Sequence, residues 1–251
     1  MEFATYRNDV WGREVIRGVS WDLLWLVVVA ALVAIALHAV YEAMRKRGER
    51  PSSSGERVKR HDSIDRAYHW IMAISMFALL VTGVLPIIGI EFAWLELHWI
   101  AGIALTVVVV FHIIRSVFFK SGSEMWISGK DLKEPIDNVK PGKYSVAQKG
   151  LHLVVTVLTL LVIASGIVMF LQIDTPWWQR TNALSEAMLG VVFFVHGITT
   201  LALIGVISLH IYFALRPEKL FYTRSMIKGW ISRDELAANH DPQRWTPDES
   251  S

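Results

Sequence analysis

Five apolar stretches divide this chain: Trp21 to Tyr41, Ala67 to Ile88, Leu97 to Phe119, Leu151 to Leu171 and Leu189 to Leu215, with the charged residues gathered between them. Each reaches about the 20 residues that an α-helix needs to cross the hydrocarbon core of a bilayer, so the pattern predicts five transmembrane helices. The first run is long, follows a mixed-charge segment and lacks a small-residue cleavage site, and is therefore read as a helix rather than a removable signal. Basic residues orient the set. Eight Lys or Arg lie between Glu42 and Ala67, six from Lys120 to Lys149 and six from Arg216 onward, whereas Gly89 to Glu96 holds none and Ile173 to Met188 holds Arg180 alone. Cytoplasmic loops carry the excess of Lys and Arg, so the N-terminus is expected outside and the C-terminus in the cytoplasm.

The stretch RKRGERPSSSGERVKR reads as a solvated linker, because its Pro-Ser-Ser-Ser centre has nothing to bury. The expected organisation is an accessory transmembrane helix at 1–44, a basic cytoplasmic linker at 45–66, a four-helix bundle at 67–215 and a cytoplasmic tail at 216–251. The fold class is all-α integral membrane, a four-helix transmembrane bundle with one additional N-terminal transmembrane helix. Composition agrees, with 53% hydrophobic residues and a mean hydropathy of +0.39. The absence of cysteine excludes disulfides, thiolate-bound iron–sulfur clusters and cysteine-linked haem within the chain. A net charge of +2 selects no partner, and no nucleic-acid partner is expected.

Histidine placement carries the candidate chemistry. His98 and His112 fall in one apolar stretch, His196 and His210 in another, each pair 14 residues apart. Fourteen residues make about four helical turns and about 21 Å of rise, so each pair shares a helix face and approaches opposite sides of the membrane. Imidazole facing lipid is unfavourable, whereas neutral imidazole is a common axial ligand of haem iron. With His69 at the mouth of another span, the arrangement predicts a cytochrome b holding two non-covalent haems. Spacing alone pairs His98 with His196 and His112 with His210.

Other residues have plainer readings. Met72, Met76 and Met169 suit ordinary packing. His38 lies near the inner end of the accessory helix, where snorkelling or a protein contact suits it. His61 and His240 fall in polar segments and are expected to be solvated. Trp94, Trp99, Trp177, Trp178 and Trp230 sit near span ends, a position that favours amphipathic indoles.

Several pieces, in order, resemble the gamma, or cytochrome b, subunit of the respiratory formate dehydrogenase family and related membrane molybdo- or tungsto-enzyme and hydrogenase cytochromes b. They are DRAYHW entering the second span, Thr82-Gly83, LHWIAG, KYSVAQK, His196, the HIY at 210–212 and the tail GWISRDELAANHDPQRW. The resemblance runs from about Arg60 to Trp245 and leaves the first 59 residues uncovered. It implies a bacterial or archaeal inner-membrane protein and two haem b groups. Their ligands would be His98 with His196 at the outer side and His69 with His210 at the inner side. Family and spacing therefore disagree on the partner of His210, and His112 could instead meet a propionate or lie in the core.

The resemblance also places Tyr144, Gln148 and Lys149 beside a menaquinone or ubiquinone, with a helix-capping loop as their plainer reading. Arg66, Arg115, Lys149 and Arg216 are candidates to face propionates. The small residues Gly83, Gly102, Gly166, Gly190 and Gly197 would admit a close helix or a porphyrin. The implied partners are an iron–sulfur subunit, a molybdenum or tungsten catalytic subunit, the quinone and membrane lipid. The implied role is conduction of electrons from such an outer dehydrogenase to quinone, without catalysis of the outer oxidation. A nickel–iron hydrogenase cytochrome b and a haem-free anchor are the competing readings.

Overall fold

The computed structural model describes residues 2–45, 53, 55–119, 122–137 and 139–247. The Pro-Ser-Ser-Ser centre of the expected linker lies outside them except at position 53. A hairpin of β1 (Ala4–Asn8) and β2 (Glu14–Val19) precedes α1 (Asp22–Met44); β3 (Arg57–Lys59) leads into α2 (Ser63–Ile87) and α3 (Trp94–Phe118). Two single-turn helices, α4 (Gly129–Leu132) and α5 (Glu134–Asp137), precede α6 (Val146–Phe170) and α7 (Glu186–Leu215). The chain closes with α8 (Leu220–Lys228), β4 (Trp230–Ser232) and α9 (Arg233–Asn239).

The five long helices α1, α2, α3, α6 and α7 coincide with the five apolar stretches, and four of them begin three to five residues earlier than hydropathy alone suggests. Each has an 18-residue window of mean hydropathy between 2.2 and 2.7, of which at most 28% is buried within the protein. Apolar side chains turned outward along such lengths have hydrocarbon as their natural solvent. The protein is a multi-pass helical membrane protein.

Two small antiparallel sheets depart from an all-helical reading. In the N-terminal hairpin, Asp9 accepts from the Trp11 and Arg13 amides, both at 2.9 Å. Gly12 supplies the left-handed residue of the turn (φ +75°), a conformation open to glycine without strain. In the second sheet β3 pairs with β4, with Val58 opposite Ile231. The segment expected to be linker thus ends in a strand that holds the tail.

By contact the chain divides into two units. One comprises Met1–Val40, Ser75–Thr106 and Val155–Leu209; the other comprises Tyr41–Ile74, Val107–Val154 and His210–Ser251. In the first, Val19, Leu23, Leu24 and Leu201 form a buried core against which Val84, Ile87, Phe194 and Ile204 pack. There β2 lies along α7 so closely that a Cβ at Gly190 would collide with the Ile16 carbonyl, and one at Gly197 with Val19. In the second unit α8, β4 and α9 form a polar cap in which Arg224 of α8 pairs with Glu235 of α9, and Arg244 beyond it pairs with buried Asp131.

Candidate functional site

In the first unit α3 presents His98 in its second turn and α7 presents His196 in its third. Their ring centroids lie 6.3 Å apart with planes at 65°. Two imidazole–metal bonds of about 2 Å, each extended by roughly 1.1 Å from nitrogen to ring centre, span about 6 Å, so the pair fits an axial ligand set for one iron. Each imidazole meets a buried hydroxyl from a neighbouring helix. Thr82 Oγ1 is 2.9 Å from His98 Nδ1, and Ser165 Oγ is 3.0 Å from His196 Nδ1.

Both hydroxyls also lie 2.7 Å from a carbonyl one turn back, Ala78 for Thr82 and Leu161 for Ser165. A carbonyl only accepts, so the hydroxyl proton goes there, and the oxygen is left to accept from Nδ1–H. With Nδ1 protonated, Nε2 carries the lone pair that binds metal. A glycine follows each hydroxyl. An added Cβ at Gly83 would lie 3.6 Å from His98 Cε1, and one at Gly166 would lie 3.4 Å from His196 Cε1. Beside the pair, Trp99 stacks on Phe170 at 5.5 Å and meets Trp177 edge-on, and Trp178 meets Phe170 at 4.5 Å. These indoles form a cluster at the helix ends.

In the second unit His69 lies within electrostatic reach of His210. His112 faces His152 instead, at 6.3 Å between centroids and 70° between planes, with Tyr68 against its other side at 4.6 Å. The structure gives His112 a partner that spacing did not foresee. Among the described residues, Nδ1 of His69 and Nδ1 of His112 are buried without a hydrogen-bond partner. Buried polar atoms are normally satisfied, so these two nitrogens differ from those of His98 and His196, which have protein acceptors.

The KYSVAQK segment opens α6. Gln148 Oε1 accepts from the Ser145 amide at 2.9 Å and Ser145 Oγ from the Gln148 amide at 3.3 Å, a capping box. Lys149 Nζ donates to Asp131 at 2.9 Å and to the Trp126 carbonyl at 3.0 Å. Burial would raise the Asp131 pKa, but the Ser128 amide and Lys149 outweigh it and hold the carboxyl at about 2. Burial pushes the Tyr144 phenol up, so it stays a proton-bearing donor. Arg66 donates to the Ile227 carbonyl, Arg115 pairs with Asp65, and Arg216 pairs with Glu42 and Glu218. Each cation considered for a propionate therefore has a protein acceptor already.

His61 and His240, expected to be solvated, are 8% and 1% exposed. The tail folds back over residue 60, which the sequence alone did not reveal. His240 Nδ1 donates to the Gly142 carbonyl at 2.6 Å, and its Nε2 accepts from Arg60 at 3.0 Å. The Arg60 guanidinium also faces the rings of Tyr222, Trp245 and Tyr144 at 4.6, 5.2 and 5.5 Å. Trp230 lies 4.4 Å from the guanidinium carbons of both Arg57 and Arg224. Burial, then Arg60, pulls the His240 pKa down to about 4. Sequence reasoning also left Ser165 unnamed; its signal was a hydroxyl–glycine pair repeating Thr82-Gly83.

A membrane bundle with facing imidazoles in a water-poor interior defines a b-type cytochrome architecture. The profile of the prokaryotic cytochrome b561 family matches residues 60–229, and the chain belongs to that family. It is similar to the formate dehydrogenase cytochrome b556(fdo) subunit of Escherichia coli K12, at 26% identity over 214 residues, covering 75% of this chain and 94% of that one. The same subunit from Escherichia coli O6:H1 and O157:H7 matches to the same extent. The hairpin and all of α1 precede the family match.

Proposed function

We propose that this chain is a di-haem cytochrome b that conducts electrons from an outer-face dehydrogenase, such as formate dehydrogenase, to quinone at the cytoplasmic side. The observation that carries the reading is the His98–His196 pair, with facing rings and with Nδ1 of each directed to a buried hydroxyl. His98 and His196 hold the outer haem; His69 and His210 hold the inner. Haem, when bound, supplies a one-electron couple confined to the membrane interior.

An iron–sulfur subunit serving a molybdenum or tungsten enzyme is the proposed donor, in keeping with the name of the Escherichia coli relatives. Tyr144 and the Gln148 amide stand at the proposed quinone site, where the protonated phenol donates to a quinone oxygen. Quinone becomes quinol by gaining two electrons and two protons, and the protons come from the cytoplasm. Inward movement of one electron against 100 mV costs about 2.3 kcal/mol, so the donor must be strongly reducing. Lys149, Asp131 and Arg244 keep the loop before α6 in place through their ion pairs.

The test is purification of the full chain in mild detergent with its copurifying polypeptides, followed by pyridine haemochrome analysis. Two haems per chain and an iron–sulfur polypeptide are expected. One haem or none would overturn the di-haem reading, and copurification of a nickel–iron hydrogenase would replace the proposed donor.

A further inference from the structure

The two hydroxyl–glycine pairs follow one design on unrelated stretches of sequence. Thr82-Gly83 on α2 serves His98, and Ser165-Gly166 on α6 serves His196. Thr82 and Ser165 are 5% and 6% exposed, so bulk water does not compete for either bond. Each hydroxyl is fixed at 2.7 Å on its own helix, and neither can take the imidazole proton, because a neutral hydroxyl whose hydrogen is committed is only an acceptor. No such acceptor reaches Nδ1 of His69 among the described residues.

We infer that Thr82 and Ser165 are positioning residues that lock His98 and His196 with Nε2 toward iron and lower the potential of the outer haem relative to the inner one. The inference rests on the proposed assignment of His98 and His196 as axial ligands. Donation of Nδ1–H makes an imidazole a stronger electron donor, which favours ferric over ferrous iron and lowers the potential. On reduction one electron enters from the iron–sulfur donor, no bond breaks, and the proton stays on Nδ1. An outer centre at lower potential makes transfer to the inner one downhill, so two uncharged hydroxyls help set the direction of flow.

The experiment is redox titration and low-temperature EPR of the full complex carrying Thr82→Val, Thr82→Ser or Ser165→Ala, with haem counted in each. The outer haem is identified as the one lost in His98→Ala. Thr82→Val, which keeps the shape and removes the acceptor, is expected to retain both haems, raise only the outer midpoint and change only the outer low-spin g values. The shift should reach up to about tenfold in ferric-over-ferrous stabilisation, or about 59 mV for one electron. Thr82→Ser should restore the original midpoint, and Ser165→Ala should give a shift of the same sign. Loss of the outer haem in Thr82→Val with recovery in Thr82→Ser would support the same role. An unchanged outer midpoint and unchanged g values in Thr82→Val, or loss without recovery in Thr82→Ser, would overturn it. If His98→Ala kept both haems, the ligand assignment itself would fail, a result separable from any midpoint.

Discussion

The unit holding His98 and His196 and the unit holding His69, His112, His152 and His210 treat the same side chain in opposite ways. In the first, helix hydroxyls complete each imidazole and the remaining nitrogen is left for metal. In the second, two Nδ1 atoms have no protein partner among the described residues, and the strong polar contacts go to fastening the tail. The difference suits a division of labour: a site that exchanges only electrons gains from fixed imidazoles. On the proposed function, the second site would also exchange protons and release a bulky product, for which groups with unspent hydrogen-bonding capacity are suited.

The contrast breaks most visibly at the ligands. His98→Ala or His196→Ala should remove one whole haem and leave the other; His69→Ala or His210→Ala should remove the second, and His112→Ala should keep both, all by pyridine haemochrome and difference spectra. Loss of the inner haem in His112→Ala with retention in His69→Ala would return the assignment to the one that spacing suggests. The next largest effect is expected at Gln148. Gln148→Ala removes both cap and amide and should slow quinone reduction severalfold while haem content stays normal. Gln148→Glu keeps an acceptor for the Ser145 amide, so normal turnover in that variant would show that Gln148 serves only the helix start.

Glycines sharpen the comparison through stability. Gly190→Ala drives a methyl into the Ile16 carbonyl and should destabilise the N-terminal hairpin by about 1–3 kcal/mol. Gly150→Ala in the other unit meets nothing within 4 Å and should stabilise α6 by about 0.5–1 kcal/mol. Thermal unfolding in detergent, with proteolysis of the N-terminal segment, reads both. The smallest effect is titration of the tail. The folded state keeps His240 neutral down to about pH 4, whereas an unfolded histidine takes its proton near 6.5. The contribution is therefore complete above pH 6.5 and declines as pH falls toward 4, by at most about 1.4 kcal/mol per pH unit. Protease release of residues 229–247 should rise across that window in the native chain and lose its pH dependence in His240→Gln.

The spans were legible because a run of about 20 apolar residues has few other solutions. The sheets were not. The hairpin strands have five and six residues, and β3 meets β4 across about 170 residues of chain, a pairing that no local pattern announces. At the site, the histidines announced themselves as polar groups in apolar helices, but their partners did not. A serine or threonine in a membrane helix usually bonds back to its own carbonyl, and the additional contact with an imidazole exists only once the helices are packed. The same holds for Arg60, which reads as one more basic loop residue until His240 and three aromatic rings close around it.

The seam between the first residues and α7 bears on how the molecule is made. Ile16 and Val19 leave the ribosome long before Gly190 and Gly197, the positions whose missing side chains admit them, and Glu42 precedes its partner Arg216 by a similar interval. Helix α1 therefore completes its packing only when the fifth span arrives, although Val84 and Ile87 at the end of α2 also pack against the core that it shares with Leu201. A chain stalled before α7 would leave the α7-facing side of α1 uncovered, giving membrane quality control a ready mark of incomplete synthesis.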